Sequence, residues 1–297
     1  MKPTQNCIVC NNSEFTELYK TKDFFLSQDD FSIYSCPHCG YKFTFPVPAP
    51  EKIGNYYKSE NYVSHSNTKK SLFFRLYHFI KKYNLRKKQK LVLKYKTQGN
   101  ILDYGCGTGD FLGIFNPSVW HVTGVEPDTE TRAYAIRKNN IFIASPEELE
   151  NLKPASFDVI TLWHVLEHIA DIEIKMKHLK SLLKPDGIIV IAVPNSDSYD
   201  AKFYGRYWAA YDVPRHFHHF KPFTLEKFLN KHHFNINCKK NMLFDSFYVS
   251  LLSEKYLKNP LGIFRAVIIG WLSNLKTLNK NNTASSFIFV ATPESHF

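Results

Sequence analysis

The chain has 297 residues, 44% hydrophobic and 22% charged, enough for one large α/β domain with additions or two small ones. Its formal charge of +11 is concentrated: residues 61–102 hold 11 Lys or Arg and no Asp or Glu, matching the whole excess of 38 bases over 27 acids. No apolar run reaches the roughly 18–20 residues of a membrane span, and the polar start Met1-Lys2-Pro3-Thr4-Gln5-Asn6 does not read as a secretory signal, so a cytoplasmic location is expected.

Residues 1–48 read as a small module. Cys7-Ile8-Val9-Cys10 and Cys36-Pro37-His38-Cys39-Gly40 are two C-x-x-C knuckles with 25 residues between them. Each knuckle turns two sulfurs toward one point, and together Cys7, Cys10, Cys36 and Cys39 fit a tetrahedral Zn2+ site. Two unrelated pairs or a redox motif are the other readings; disulfides are not expected in a reducing compartment. A closed four-thiolate site leaves no position for substrate, so the metal's role is structural. Phe15 to Tyr19, Phe31 to Tyr34 and Lys42 to Phe45 read as short strands, giving a zinc ribbon. Pro46, Pro48 and Pro50 mark its end.

Residues 49–98 form a linking and capping region. The tract Tyr56-Tyr57-Lys58-Ser59-Glu60-Asn61-Tyr62 suits interdomain packing or a wall over a ligand. Residues 68–97 read as one helix or two, with Leu72, Leu76, Phe79, Ile80 and Tyr83 on the apolar face. Lys81, Lys82, Arg86, Lys87, Lys88 and Lys90 make the other side basic: a solvated face, or one that meets nucleic acid, anionic lipid or a phosphorylated sugar.

From residue 99 to 297 strands and helices alternate, which predicts a mostly parallel sheet covered by helices. The first unit is Ile101-Leu102-Asp103-Tyr104-Gly105-Cys106-Gly107-Thr108-Gly109-Asp110-Phe111-Leu112: strand, glycine turn, helix start. Glycines let the backbone bend sharply and let a ligand lie against it. Asp110 stands where a dinucleotide G-x-G-x-x-G would need its third glycine. His121 to Pro127 reads as the second strand, and Glu126, 19 residues past Gly107, can accept both hydroxyls of a ribose; the plainer reading is a surface acid. A helix over Thr129 to Lys138, a strand at Ile141 to Ala144 and a strand at Ser156 to Trp163 follow. Ser181 to Gly187 reads as a turn and Ile188 to Val193 as the fifth strand.

This order of motifs, D-x-G-x-G-x-G, Glu126, the strand running into Trp163-His164, and Leu183-Lys184-Pro185-Asp186-Gly187, resembles the class I S-adenosylmethionine (SAM) methyltransferases over roughly residues 100–292. The resemblance implies a Rossmann-like α/β domain with a seven-stranded sheet. It also implies a SAM site in which Asp103 holds the cationic methionine end, beside Gly105, Cys106, Gly107, Gly109 and Phe111. Glu126 and Pro127 would meet the ribose, Ser145, Pro146 and Glu147 the adenine, and Trp163 and His164 the mouth shared with substrate. The front half also resembles zinc-ribbon-bearing sugar methyltransferases, whose extra C-terminal domain is not expected here.

His164, Glu167 and His168 are spaced to share a helix face. H-x-x-E-H is an inverzincin pattern, rejected because no other protease feature accompanies it. It also resembles in part the metal-binding E-x-x-E-H of small-RNA 2′-O-methyltransferases and ubiquinone-pathway O-methyltransferases, with His164 in place of the first glutamate. The preferred reading is helix packing and a substrate wall.

Two insertions complete the chain. Residues 196–224 are aromatic and histidine-rich, and His216 is the first candidate for a base, His219 the second. Arg215 is a candidate for binding an anionic substrate; local packing is the alternative for each. His232 and His233, on a helix carrying Leu225, Phe228 and Leu229, are expected at the surface. Ile236 to Phe244 and Ser286 to Ala291 read as strands six and seven, separated by the apolar insertion 246–284. That insertion suits a cap or a homodimer face, with a membrane surface as the alternative.

The expected function is methyl transfer from SAM to a hydroxyl or other nucleophile of a small-molecule, glycan or lipid-linked acceptor. An RNA methyltransferase using the ribbon and basic helix, and a non-catalytic SAM-binding module, are the rival readings.

Overall fold

The structure, a computed structural model, describes residues 3, 5–57, 72–279 and 284–294, and side chains within them except those of 72–79, 278 and 279. Residues 58–62 of the tyrosine-rich tract, and the side chains of Leu72, Leu76 and Phe79, lie outside the described set.

The chain divides into two compact units: Met1–Ser59 with His164–Lys175 and Ala192–Phe289, and Glu60–Trp163 with Met176–Ile191 and Val290–Phe297. The cysteine module is thus grouped with both insertions. Its strands are β1 (Thr16–Lys22), β2 (Asp30–Ser35) and β3 (Lys42–Phe45), all antiparallel. Ile33 and Phe43 are buried between them.

The larger sheet contains β4 (Gly99–Tyr104), β5 (Trp120–Val125), β6 (Phe142–Ala144), β7 (Phe157–Trp163) and β8 (Leu183–Pro194). After β9 (His218–His219), which belongs to the smaller sheet, come β10 (Phe234–Met242) and β11 (Ser286–Pro293). The order is β10-β11-β8-β7-β4-β5-β6, mostly parallel, as the alternating pattern predicts. Near-continuous burial along β7 and from Ile188 to Val193 is what a strand covered on both faces requires. The tract Leu183 to Gly187, expected as a turn, is the start of β8.

The helix Thr129–Asn139 starts where Asp128 accepts the N–H of Thr131 at 2.8 Å and ends at Asn140, whose φ of 52° stops propagation. The basic helix Leu72–Leu93 buries Leu91 and Val92. Lys81 is paired with Asp110 at 2.8 Å, and Lys138 joins the same carboxylate at 2.6 Å; these lysines hold Asp110 at about 2 despite the burial that would raise it.

In the first unit β9 pairs antiparallel with β3, so the histidine-rich insertion supplies the fourth strand of the cysteine module's sheet. Thr44 fastens the join: its N–H donates to Phe217 O (3.0 Å) and its hydroxyl to His216 O (2.6 Å). A second tie is ionic. Arg215, 2% exposed, donates to Asp23 (2.9 Å), Asp212 (2.7 Å) and Tyr56 O (2.9 Å). Its guanidinium is occupied by these groups, so it is a structural residue and not the expected substrate anchor. His232 is also buried, its ring 4.6 Å from that of Phe228, because it closes the end of the helix Pro222–Lys231; His233 is exposed as expected.

Replacing Arg215 with Leu leaves two carboxylates without their counter-charge and should destabilise the first unit by about 3–5 kcal/mol in urea unfolding. Although burial opposes it, Arg215 and three backbone N–H donors hold Asp23 below the usual carboxylate range. Its contribution should therefore be full above about pH 4 and fade as acid passes through the lowered value.

Candidate active site

The glycine turn follows β4 in the second unit. Gly105, Gly107 and Gly109 all have positive φ, 75°, 54° and 69°. Their roles differ. A Cβ on Gly107 would meet nothing within 4 Å, so this is the open side of the turn. A Cβ on Gly109 would lie 2.8 Å from Asn139 Nδ2; this glycine serves close packing on the helix Thr129–Asn139.

Two acids flank the turn. Asp103, 3% exposed at the end of β4, accepts the Thr161 hydroxyl at 2.5 Å. Burial pushes its carboxyl up to about 7, against the opposing pull of that hydrogen bond and of Lys88. Glu126 accepts the N–H of Gly107 (2.9 Å) on Oε2 and of Asp128 (3.0 Å) on Oε1. Burial also raises Glu126, though these donors resist it. Both carboxylates thus border one turn, as the spacing suggests. Cys106 and Phe111 are buried, and the Phe111 ring packs edge-on against Trp163 at 5.4 Å. Pro127 and Glu147 are exposed, while Ser145 and Pro146 are half-buried. The indole N–H of Trp163 is buried and has no hydrogen-bond partner among the described residues. An open glycine edge, a buried acid with a raised pKa, a second acid with spare lone pairs and an orphaned donor fit a polar, cation-bearing ligand.

A second cluster lies in the first unit. Glu167, His168 and His216 each offer a ligand atom within 4.8 Å of the others. The expected helix is instead a 3-10 turn, Leu166–His168, with His164 at φ 58° ahead of it. His216 was legible as a candidate; its neighbours Glu167 and His168, 49 and 48 positions earlier, were legible only as a motif of their own. His216 Nδ1 bonds Ala210 O (2.8 Å), and His168 Nδ1 bonds Arg215 O (3.0 Å), with Tyr57 Oη also at 3.0 Å. With Nδ1 committed as donor to a carbonyl, Nε2 of each ring is the basic atom. The rings meet at right angles with centroids 4.4 Å apart. Glu167 is 1% exposed, and its carboxylate has no hydrogen bond among the described residues; its nearest cation is His164 Nδ1 at 3.6 Å.

The other histidines are committed. His219 Nε2 lies 2.9 Å from the Thr44 hydroxyl, and burial beside His216 and His218 drives it well below its usual value. It belongs to the sheet, and the structure does not present it as a second base. His218 bonds Tyr41 through Nδ1 and Ile169 O through Nε2.

The Sγ atoms of Cys7 and Cys39 are 3.6 Å apart and those of Cys10 and Cys36 3.5 Å, with all four within 4.8 Å. Four sulfurs about 2.3 Å from a central ion in a tetrahedron stand about 3.8 Å apart, so the cluster can hold one metal ion. Burial raises the Cys7 thiol to about 11, whereas N–H donors from the knuckle overcome burial at Cys36 and bring it to about 7.

The fold and the glycine turn define a nucleotide-type α/β domain, and comparison narrows the class. Residues 76–239, more than half of the chain, match the family described as a methyltransferase domain, and the chain belongs to that family. It is 32% identical over 123 residues to a ubiquinone biosynthesis O-methyltransferase of Pelagibacter ubique, covering 39% of this chain and 49% of that protein. To the protein of the same name from Rickettsia prowazekii it is 30% identical over 159 residues, covering 49% and 62%. The chain spans about half the length of the curated relatives it matches. Among solved structures it resembles Haemonchus contortus phosphoethanolamine N-methyltransferase 2 in complex with phosphomonomethylethanolamine and S-adenosylhomocysteine. The TM-score is 0.53 at 16% identity, over 95% of this chain and 68% of that one. A protein from Pyrococcus horikoshii gives 0.50 at 15% identity, over 81% and 99%. These two likenesses concern the fold.

Opposite charge states should be measurable within the cluster. Burial lowers a histidine, but Asp245, 3.2 Å from His164 Nε2, and Glu167 outweigh it and raise His164 to about 9. Burial and the neighbouring His216 lower His168 to about 4. Imidazole NMR titration should find His164 protonated and His168 neutral at pH 7, and Asp245→Asn should lower the His164 midpoint. Because the His164 value is raised, its stabilising effect is present below about pH 6.5 and is lost as pH rises through about 9.

Proposed function

We propose that this chain is a SAM-dependent methyltransferase acting on a hydroxyl of a small molecule, glycan or lipid precursor. The observation that carries the cofactor reading is the pair Asp103 and Glu126 on either side of the open edge at Gly107. Asp103 would hold the methionine ammonium and Glu126 the ribose hydroxyls. SAM, when bound, supplies a methyl group already activated on a sulfonium. The protein's work is then alignment, exclusion of water and removal of one proton. His216 Nε2 is assigned as the base, with Ala210 O fixing its tautomer. Glu167 stabilises the imidazolium that results. The acceptor class draws support from the O-methyltransferase names of the curated relatives. The cysteine cluster is assigned a structural Zn2+.

One observation favours a second reading of the chemistry. Glu167, His168 and His216 offer three donors close together, and the carboxylate has no hydrogen-bond partner among the described residues. A divalent ion held there would polarise the acceptor oxygen in place of the base. Metal analysis separates the two: one Zn2+ per chain supports the base, and a second ion that Glu167→Gln removes supports the metal.

Asp103 must be ionised to hold an ammonium, so SAM affinity by calorimetry should rise as pH passes upward through about 7. Asp103→Asn should weaken binding roughly 10- to 100-fold and flatten that profile. Gly105→Val should abolish binding while the four-cysteine site keeps its metal; unchanged affinity would refute the cofactor assignment. With labelled SAM and a fractionated extract, His216→Ala should slow transfer by about 100-fold with SAM affinity preserved. Labelling that follows RNA, with salt-sensitive RNA binding, would move the acceptor from small molecule to nucleic acid.

A further inference from the structure

The insertion between β10 and β11 is a pair of helices, Asp245–Tyr256 and Gly262–Asn279. The second helix buries Ala266, Ile269 and Ser273, and the fit is close because a Cβ on Gly270 would stand 2.7 Å from the Phe247 ring. Its opposite side is also apolar. Ile263, Phe264, Val267, Ile268 and Trp271 recur at helical spacing and are all exposed, Phe264 by 73%. A helix that is apolar on both sides has one side still to be covered.

The charges around this stripe say by what. The helix Gly262–Asn279 contains no Asp or Glu. The acids of the preceding helix are engaged: Asp245 faces His164, and Glu254 is buried under Tyr204, Asn259 and Arg265. Lys255, Lys258 and Lys276 are exposed. The exposed charges of this helix pair are thus all cationic, and with an apolar stripe that carries a tryptophan they complement an anionic bilayer surface. A second copy would bring only the same cations. No helix among the described residues is long and apolar enough to cross a membrane, so the geometry is that of a helix lying in the interface.

We propose that the outer face of Gly262–Asn279 seats this protein on the surface of an anionic lipid bilayer. Trp271 is the one exposed tryptophan of four, since Trp120, Trp163 and Trp208 are buried, and this gives a direct readout without substitution. The full chain is mixed with phosphatidylcholine vesicles, with or without phosphatidylglycerol. Vesicles containing phosphatidylglycerol should bind it at least about tenfold more tightly, and brominated lipid should quench Trp271. Ile268→Glu should abolish sedimentation with vesicles while thermal unfolding stays unchanged. Lys255→Glu with Lys258→Glu, which leaves the apolar stripe intact, should erase the preference for anionic lipid. Failure to bind either vesicle, or equal binding to both, overturns the proposal. So does a dimer in light scattering that Ile268→Glu dissociates, because the stripe would then be covered by a second copy.

Discussion

The constraint on which the methyltransferase domain turns is the grip of one carboxylate on two backbone loops. Glu126 stands at the end of β5 and takes an N–H from the turn after β4 and another from the turn after β5 itself. The two strands are parallel neighbours with Asp103 beside Gly124, so their carboxyl ends are already level. The hydrogen bonds then lock the turns to each other. Gly124 makes this possible, since a Cβ there would sit 2.6 Å from the Cys106 sulfur. An isolated buried carboxylate is costly, and two charge-assisted bonds offset much of that cost while leaving lone pairs for a ligand.

In the histidine-rich insertion, similar side chains take different partners. Within four residues, His216 bonds Ala210 O through Nδ1 and has Asp212 Oδ2 3.9 Å from Nε2, whereas His218 bonds Tyr41 and Ile169 O and His219 bonds Thr44 of β3. The division follows from strand geometry. Residues paired in β9 must satisfy neighbours in β3, whereas His216 precedes the pairing and turns toward Glu167 and His168. Arg215 beside it is drawn into an ion cluster by Asp23 and Asp212.

The sheet, the glycine turn, both flanking acids and the four-cysteine cluster were legible in the sequence because each is written in local residues at fixed spacing. Asp103 and Glu126 are each placed by the strand they end. What was not legible depends on partners far along the chain. The tie of Arg215 to Asp23 crosses 192 positions and that of Thr44 to His216 crosses 172, so nothing local distinguishes these side chains from substrate-binding ones. The H-x-x-E-H spacing suggested a helix, but Phe217 donates to the Glu167 carbonyl and a 3-10 turn forms in place of continued winding. His232, expected on the outer side of an amphipathic helix, is buried against Phe228 at the end of that helix.

The pairing of β3 with β9 has a consequence for how the protein could be taken apart. The module at the front of the chain is not an appendage that can be trimmed away. Without Thr44, the carbonyls of His216 and Phe217 lose their donors, and the stretch that orients the His216 ring would hang from one side only. The geometry of the histidine cluster is therefore tied to the cysteine module. A fragment cut to residues 76–239 would lose β11, which lies between β10 and β8, as well as the β3 partner of the histidine-rich stretch.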